Sequence, residues 1–345
     1  MARSSVNYSK GNNRLSTPIA VLGAGSWGTA LAILLARNQQ EIRLWGWDKQ
    51  AQQQLQHDRC NSFYLPNIIF PDNLIVCDNL AITLEGVHDI LIAVPSRGFR
   101  ETCMKINCYF TTSPRIAWAT KGLDVLNNML LHEVVQEIFG NDLSMAVLSG
   151  PSFAQEVAAE LPTAISLASN DSIFARDLIT RLHNDYFRVY ASNDLIGVEL
   201  GGAVKNVLAI AVGIADGLGF GANTRCALIT RGLAEMVRLG LALGGKPDTF
   251  MGLAGVGDLI LTCTDNQSRN RRLGLAIGSG KSLAEAEKAI GYTVEGVSNA
   301  HKIFKLAQHH HVDMPITEHV CRLLVGDITP QEAATSLMSR QPENK

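Results

Sequence analysis

The sequence lacks a cysteine framework, a strong net charge and a leader-like start. Its seven cysteines are scattered and none forms a C-x-x-C pair, which suits isolated thiols in a reducing cytoplasm better than a disulfide framework. The formal net charge of −2 gives no indication of a nucleic-acid partner or of a membrane surface. Residues 1–16 are polar, so no signal peptide is predicted. No apolar run is expected to reach the length of a membrane span, which predicts a protein without stable membrane insertion.

A glycine fingerprint follows the first apolar run. Residues 19–28 read IAVLGAGSWG, so that Gly23, Gly25 and Gly28 form G-x-G-x-x-G, and the helix-like TALAILLARN follows. Strand before and helix after is the context that makes this motif informative. Gly23 permits the tight turn, Gly25 the approach of a pyrophosphate, and Gly28 close helix–strand packing. The pattern favours a dinucleotide at the positive end of the helix over an ordinary strand–helix turn of another α/β protein.

Strand-like and helix-like segments alternate in the first half of the chain. This alternation predicts an α/β fold, a Rossmann-type, doubly wound and mostly parallel sheet. Ligands of such sheets bind beyond the carboxyl ends of the strands. The predicted strands cover residues 19–23, 41–47, 74–77, 89–95, 115–120, 144–149, 163–168 and 187–191.

No strand alternation continues after about residue 192, and the rest of the chain is predicted to be an all-α domain. With 345 residues, the chain is long enough for two domains. We predict an N-terminal extension (1–17), a dinucleotide-binding domain (18–192), a helical substrate and catalytic domain (193–340) and a loose tail (341–345). The default place for a site is between the two domains.

Two lysines are candidates for proton transfer. Lys121 follows the apolar strand RIAWAT, and Lys205 lies in the small-residue helix segment GGAVKNV. Burial lowers the pKa of a lysine, which suits exchange of a proton with a reacting oxygen. The alternative is a lysine whose ammonium reaches solvent.

Asp258 and Thr262 share one helix face because they are four residues apart in GDLILT. An acid there could hold an ammonium or a substrate hydroxyl. An ordinary acid in the first turn of a helix is the alternative, and the pattern alone favours it.

The segment NQSRNRRLG is a candidate phosphate site. Ser268 and Asn270 offer hydrogen bonds, and Arg269 can donate two parallel bonds to one phosphate at the start of a helix. The alternative is a solvated basic turn, as we expect for Arg271 and Arg272.

No metal site is predicted. His309, His310 and His311 are consecutive at the end of a helical pattern, so their side chains point in different directions. No cysteine or carboxylate accompanies them at ligand spacing. The sequence also contains neither a nucleophile elbow nor a Walker-type phosphate loop.

The motifs together resemble those of the bacterial NAD(P)-dependent glycerol-3-phosphate dehydrogenase family. They run in one order from about residue 18 to beyond residue 315, which makes them far more specific than the glycine fingerprint alone. The matching pieces are GAGSWGTALA, RCNSFYLP, VPS, WATKGL, LSGPSFAQE, LPTA, ELGGAVKNV, DGLGFGANTRCALITRGLAEM, GLAGVGDLILTCTDNQSRNRR and MPITE.

The resemblance implies an activity and a role for each matching residue. The family interconverts dihydroxyacetone phosphate and sn-glycerol 3-phosphate with NAD(P)H, and supplies glycerol phosphate for phospholipids. By similarity, Lys205 is the proton donor and acceptor, and Lys121 contacts substrate and cofactor. The other implied substrate contacts are Gly150, Ser152, Asp258, Ser268, Arg269 and Asn270. The implied cofactor contacts, beside the three glycines, are Ser26, Trp27, Trp47, Lys121, Ala154, Arg269, Thr293 and Glu295.

The turn after the second strand leaves the choice between NAD and NADP open. A carboxylate at this turn selects NAD, whereas a nearby basic residue accommodates the 2′-phosphate of NADP. Here the turn reads LWGWDK, with Gly46 near the usual carboxylate position and Trp47 where relatives often have a polar or basic residue. Asp48 and Lys49 give opposite indications.

The sequence leaves two other functions open. A hydroxyacid or ketopantoate-type reductase shares a Rossmann domain followed by helices, although the NQSRN segment argues for a phosphorylated substrate. A cofactor-binding sensor without catalysis would be expected to lose Lys205 or Lys121, and both are present. The apolar stripes of the helical half are compatible with a homodimer, and equally with core packing.

Overall fold

The amino-terminal half contains every strand that the sequence predicts. The computed structural model of the chain describes residues 17–110, 114–292 and 294–339. The strands in these ranges are β1 Ile19–Leu22, β2 Ile42–Trp45, β3 Leu74–Cys77, β4 Asp89–Ile92, β5 Arg115–Trp118, β6 Met145–Ser149, β7 Thr163–Ser169 and β8 Phe187–Ser192. The largest differences from prediction are at β2, predicted over residues 41–47, and at β4, predicted over residues 89–95, because each observed strand is three residues shorter.

The strands form one sheet in the order β3-β2-β1-β4-β5-β6-β7-β8. All neighbours are parallel except β6 and β7, which are antiparallel. Strands β1, β4 and β5 are buried along their whole length, which is why they read as continuous apolar runs. The strand order reverses between β1 and β4, so a crevice is expected beyond their carboxyl ends. The helices of this half are α1 Ser26–Arg37, α2 Lys49–Asp58, α3 Leu80–Leu84, α4 Ser96–Asn107, α5 Leu131–Phe139, α6 Ala154–Ala158 and α7 Ser172–Leu182.

The carboxyl-terminal half is helical throughout its described residues, as predicted. Its helices are α8 Leu195–Gly217, α9 Ala222–Ala242, α10 Pro247–Phe250, α11 Asp258–Thr264, α12 Arg269–Gly278, α13 Leu283–Ile290, α14 Glu295–His309, α15 Pro315–Leu324 and α16 Pro330–Ser339. A π-helical turn precedes α11, in which the Gly257 N–H donates to the Gly252 carbonyl at 3.1 Å. The predicted tail (341–345), and the predicted extension apart from Thr17, lie outside the described residues.

Helix α8 is the centre of the helical half. A Cβ on Gly213 would collide with the Arg271 carbonyl oxygen, and one on Gly274 with the Ile210 carbonyl oxygen. Glycine at these two positions therefore lets the backbones of α8 and α12 approach each other closely. The close approach fixes where α12, which carries the predicted phosphate site, begins relative to Lys205 on α8.

The expectation that no apolar run reaches membrane-span length was wrong for α8. Among the described residues this helix is long and apolar enough to span a membrane, with a mean hydropathy of 1.7. However, 83% of its most apolar window is buried inside the protein. A helix that is apolar all round is also what the core of a large domain requires.

A buried charge network joins the amino ends of β4 and β5. Arg115 donates to both carboxylate oxygens of Asp89, at 2.6 and 2.8 Å, and to Asp177 at 2.5 Å. The guanidinium of Arg181 lies 3.3 Å from the Asp89 carboxylate. All four residues are buried, so each charge depends on its partners for compensation.

Replacing Asp89 by alanine is expected to lower the free energy of unfolding by about 3–5 kcal/mol. The change leaves two buried guanidinium groups beside each other with one carboxylate fewer. Urea unfolding of the variant measures the loss. The exposed Asp185 is the matched position, where the same replacement should cost less than about 0.5 kcal/mol. Equal small losses in both variants would contradict a structural role for the network.

Candidate active site

The glycine turn has the geometry that a dinucleotide site requires. Gly23 follows β1 with φ +122°, and a Cβ there would lie 2.6 Å from the Ala93 carbonyl carbon beyond β4. A Cβ on Gly28 would collide with the Gly23 carbonyl oxygen. Gly25 is the N-cap of α1, and a Cβ there would have no neighbour within 4 Å. The helix end is thus open at Gly25, and its N–H groups fit a pyrophosphate.

The other predicted cofactor residues of the amino-terminal half lie on different elements. Ser26 and Trp27 form the first turn of α1, and Ala154 begins α6. Trp27 and Ala154 pack against the same core of the sheet. Trp47 follows β2 and is 85% exposed. An indole that is so exposed leaves the turn after β2 accessible to a ligand.

Glu295 links the helical half to the crevice. It is the first residue of α14, and its carboxylate accepts a hydrogen bond from the Ser96 hydroxyl at 3.2 Å, just beyond β4. Burial raises the pKa of this carboxyl. Thr293, which was predicted beside it, lies outside the described residues.

Lys121 extends from the carboxyl end of β5 toward the helical half. Its ammonium donates to Asp258 Oδ2 at 2.6 Å and to the Gly150 carbonyl at 3.3 Å. A Cβ on Gly202 of α8 would lie 3.3 Å from Lys121 Cγ, so the absence of a side chain leaves room for the lysine. The ion pair between Lys121 and Asp258 therefore links the two halves of the chain.

Lys205 is on α8 and meets the same carboxylate from the other side. Its ammonium donates to Asp258 Oδ1 and, at 2.8 Å, to the hydroxyl of Thr262. Asp258 and Thr262 lie on one face of α11, as their spacing predicts. Thr262 was not among the predicted site residues, and that spacing was the signal that could have included it.

One buried carboxylate thus serves two ammonium groups. Burial and the positive charge of Lys121 lower the pKa of Lys205 while Asp258 raises it, and the net result is a pKa of about 7. The sequence left open which effect is larger, and in the structure the lowering effects are. A lysine with this pKa can both donate and accept a proton near neutral pH.

Gly150 and Ser152 lie beside this cluster, at the carboxyl end of β6. The Gly150 carbonyl accepts from Lys121 and, at 3.0 Å, from the Ser152 hydroxyl. Gly150 has φ +155°, and a Cβ there would lie 2.9 Å from Ile165 Cα. The buried hydroxyl of Ser149 has no hydrogen-bond partner among the described residues.

Asn270 and Ser268 hold α12 in place. The Asn270 amide donates to Asn206 Oδ1 at 2.9 Å and accepts from the Gly296 N–H at 2.9 Å. It therefore joins α8, beside Lys205, to the first turn of α14. The Ser268 hydroxyl is the N-cap of α12 and accepts from the Arg271 N–H at 3.2 Å. Asn206, which the sequence did not single out as a site residue, is adjacent to Lys205 and belongs to this arrangement.

The two arginines after the predicted phosphate residues differ in environment. Arg272 is exposed, as expected, but the expectation of a solvated Arg271 was wrong. Arg271 is buried and its guanidinium lies 2.8 Å from the Asp216 carboxylate. The guanidinium of Arg269 lies over the Tyr292 ring, 5.9 Å from its centre. Arg271 has a structural ion pair, whereas Arg269 faces the segment between α13 and α14.

His309 and His310 lie at the end of α14 with their rings in edge-to-face contact, 5.0 Å apart. In the described part of the chain, no group of three or more histidine, cysteine or carboxylate side chains is arranged to hold a metal ion.

Two family models match the chain. The model of the NAD-dependent glycerol-3-phosphate dehydrogenase N-terminus matches residues 18–175, and that of the C-terminus matches residues 194–335. The chain belongs to this glycerol-3-phosphate dehydrogenase family.

Individual relatives agree over nearly the whole length. The chain is 55% identical over 326 residues to a glycerol-3-phosphate dehydrogenase [NAD(P)+] of Coxiella burnetii, covering 94% of this chain and 98% of the relative. It is 52% identical over 329 residues to the protein of that name from Serratia proteamaculans, covering 95% and 97%. A crystal structure of the Coxiella burnetii glycerol-3-phosphate dehydrogenase matches with a TM-score of 0.92 and 54% identity, covering 94% of this chain and 100% of that one.

The family assignment decides between the classes of protein that the sequence left open. The chain is an NAD(P)-dependent oxidoreductase with a Rossmann-type sheet and a helical second half. A binding protein without catalysis is not supported, because the matching family models and relatives are dehydrogenases.

Proposed function

We propose that this chain interconverts dihydroxyacetone phosphate and sn-glycerol 3-phosphate, with Lys205 as the proton donor and acceptor. The observation that carries the proposal is the buried Lys205 ammonium, which shares Asp258 with Lys121 where the two halves of the chain meet. Its pKa of about 7 suits proton exchange in both directions. The family assignment supports the choice of a phosphorylated three-carbon substrate.

In the reducing direction, protonated Lys205 stabilises the negative charge that develops on the ketone oxygen, and then protonates it. In the oxidising direction, neutral Lys205 accepts the proton of the C2 hydroxyl. Asp258 keeps the amine aligned through its Oδ1, and Thr262 fixes it from a second side. Lys121 is bound to the other carboxylate oxygen and can donate to the same substrate oxygen or its neighbour.

The phosphate of the substrate is proposed to bind at the start of α12. Arg269 supplies the planar guanidinium that can donate two parallel hydrogen bonds to phosphate oxygens. Ser268 and Asn270 support this site from either side, although the Asn270 amide already bonds to Asn206 and Gly296. Gly150 and Ser152 are proposed to line the pocket on the sheet side.

NAD(P)H, when bound, supplies the hydride for the ketone carbon. The open helix end at Gly25 fits its pyrophosphate, with Gly23 and Gly28 shaping the turn. The other residues proposed to contact it are Ser26, Trp27, Trp47, Lys121, Ala154, Arg269, Thr293 and Glu295.

The pH dependence of the rate follows from the lowered pKa of Lys205. Oxidation of glycerol 3-phosphate needs the neutral amine, so its kcat/KM is expected to rise with pH and to reach half its maximum near pH 7. Reduction of dihydroxyacetone phosphate needs the ammonium, so its kcat/KM is expected to fall through the same range. Initial rates from pH 5 to about pH 9 measure both limbs. A half-maximal pH above about 9 would contradict a buried Lys205 as the titrating group.

Replacing Trp47 by arginine is expected to shift cofactor preference toward NADPH about tenfold. Trp47 is exposed at the turn after β2, where a guanidinium could pair with a 2′-phosphate. The measured quantities are the dissociation constants of NADPH and NADH, from cofactor fluorescence. An unchanged ratio would show that this turn does not contact the 2′-phosphate.

The direct test of the proposed reaction is nicotinamide absorbance with purified protein and dihydroxyacetone phosphate, with NADH and NADPH in parallel. Oxidation of either cofactor by this ketone, but not by pyruvate or ketopantoate, supports the proposal and ranks the cofactors. Turnover of ketopantoate instead would favour the alternative reductase. Cofactor binding without any turnover would favour a sensor.

We also propose that the enzyme works in the cytoplasm, as a homodimer, to supply glycerol phosphate for phospholipids. All seven cysteines are free thiols, which supports a reducing compartment. Apolar side chains such as Val325 and Met338 are exposed on the helical half, which supports a second copy as partner. Light scattering of the purified chain tests the dimer. A mass of two chains would support it, and a mass of one chain would contradict it.

A further inference from the structure

The backbone that follows Lys121 is held from both sides by helix α14. The Leu123 N–H lies 3.5 Å from Asn299 Oδ1, and the Leu123 carbonyl accepts from the Lys302 ammonium at 3.2 Å. Leu123 is two residues beyond Lys121 and, like Asn299, fully buried. The helical half thus contacts both polar groups of one peptide residue on the sheet half.

The fit at this contact is tight. Gly122 has φ +145°, and a Cβ there would lie 2.7 Å from Asn299 Nδ2 and 2.9 Å from Ser96 Cβ. Only glycine leaves room for the Asn299 amide at this position. The segment after β5 is therefore packed directly against α14.

Lys302 is an unusual residue for such a contact. It is only 8% exposed, and burial lowers the pKa of its amine, an effect that the carboxylates of Glu295 and Asp124 oppose. Asp124 is itself bound by Arg100 at 3.1 Å. A buried lysine is costly, so a role in holding a carbonyl is more informative here than on the surface.

Glu295, Asn299 and Lys302 lie on one face of α14 because they are four and three residues apart. The first contacts Ser96 beyond β4, and the other two contact Leu123 beyond β5. One helix face of the helical half therefore holds the ends of two adjacent strands at the crevice.

We propose that Asn299 and Lys302 are positioning residues of the reaction: by fixing the backbone of Leu123, they hold the Lys121 ammonium against Asp258. This inference rests on the proposed function, since it assigns a consequence to the place of Lys121 beside Lys205. Neither residue contacts Lys205 or Asp258 directly, and both act through Lys121.

The position of Lys121 sets part of the acidity of Lys205. The positive charge of Lys121 lowers the pKa of Lys205, and Asp258 is shared between the two amines. If the Leu123 backbone loosens, Lys121 moves away and Asp258 pairs with Lys205 alone. Both changes raise the pKa of Lys205.

The experiment compares Lys302→Met with the wild type and with Lys305→Met. Methionine keeps most of the buried length without the amine, and Lys305 is an exposed lysine on the same helix. The measured quantity is kcat/KM for glycerol 3-phosphate oxidation against pH, at saturating NAD+. We expect the half-maximal pH of Lys302→Met to move up by about one unit and that of Lys305→Met to stay in place. Ionisation of the substrate phosphate is common to all three proteins.

A purely structural role gives a different result. Destabilised enzyme would lose active protein at every pH and leave the half-maximal pH unchanged, which would overturn the proposal. Asn299→Ala is the second variant, in case Lys302→Met folds poorly. It should also move the half-maximal pH upward. Lys302→Arg, which keeps a donor for the Leu123 carbonyl, should have the half-maximal pH of the wild type. A wild-type enzyme without turnover would overturn the proposed function as well. An active wild type whose half-maximal pH is unchanged in the variants would overturn this inference alone.

Discussion

Replacing Lys205 by alanine is expected to lower kcat by about 10³- to 10⁴-fold while NADH still binds within about threefold of wild type. The ammonium of Lys205 is the group that donates to both Asp258 and Thr262, and no other described lysine except Lys121 contacts this carboxylate. The glycine turn that we propose to bind the cofactor lies on the sheet half and does not depend on Lys205. Steady-state rates and cofactor fluorescence separate the two effects.

A matched control is available for this variant. Lys281 is exposed beyond α12, and its replacement by alanine should leave kcat unchanged. The free energy of unfolding should be measured for both proteins, because Lys205→Ala leaves the buried Asp258 with Lys121 as its only ammonium partner among the described residues. A folded Lys205→Ala enzyme with turnover within tenfold of wild type would remove Lys205 from the mechanism.

Replacing Asp258 by asparagine is expected to lower kcat/KM by about 100-fold in both directions. The carboxylate aligns Lys205 through one oxygen and Lys121 through the other, and both alignments weaken when the charge is lost. Asp258 also raises the pKa of Lys205, so its removal should move the half-maximal pH below 7. The downward direction is opposite to that expected for Lys302→Met.

Asp248 provides the control for this substitution. It is an exposed acid in α10, and Asp248→Asn should change neither the rate nor the pH limb. The free energy of unfolding of Asp258→Asn is expected to fall by about 3–5 kcal/mol, because the buried Lys205 and the partly buried Lys121 lose their common counter-charge. An upward shift of the limb, or a loss of activity without any shift, would contradict the assigned electrostatics.

The fold was predictable because its signals are local. Strands such as β1 and β4 are buried on both faces and so appear as short apolar runs between turns. The turn at Gly23 has a strand before and a helix after within a few residues, which is the context that its motif needs. Lys121 could be placed at the sheet edge because it directly follows such a run.

The parts that sequence did not reveal depend on contacts between distant residues. Arg271 was expected in solvent because it stands in a basic, polar segment, yet Asp216 of α8 pairs with it. Nothing near Asp89 in the sequence indicates its pairing with Arg181. The same reason applies to Lys302, whose partner Leu123 is 179 residues away.

The candidate site was predicted in its members more than in its arrangement. Lys121, Lys205 and Asp258 were identified separately. Their positions in the sequence could not show that both lysines bind the Asp258 carboxylate. Resemblance to a family supplied roles for the residues. The distances, and the outcome of the opposing effects on the pKa of Lys205, came from the folded chain.

The most direct test of the central claim is a crystal structure of the enzyme with NADH and sn-glycerol 3-phosphate, a pair that cannot exchange a hydride because both are reduced. We predict the C2 hydroxyl within about 2.6–3.2 Å of Lys205 Nζ, and the phosphate on Arg269 at the start of α12. A substrate bound with its C2 hydroxyl on another side chain, and Lys205 still engaged only with Asp258 and Thr262, would contradict Lys205 as the proton donor and acceptor.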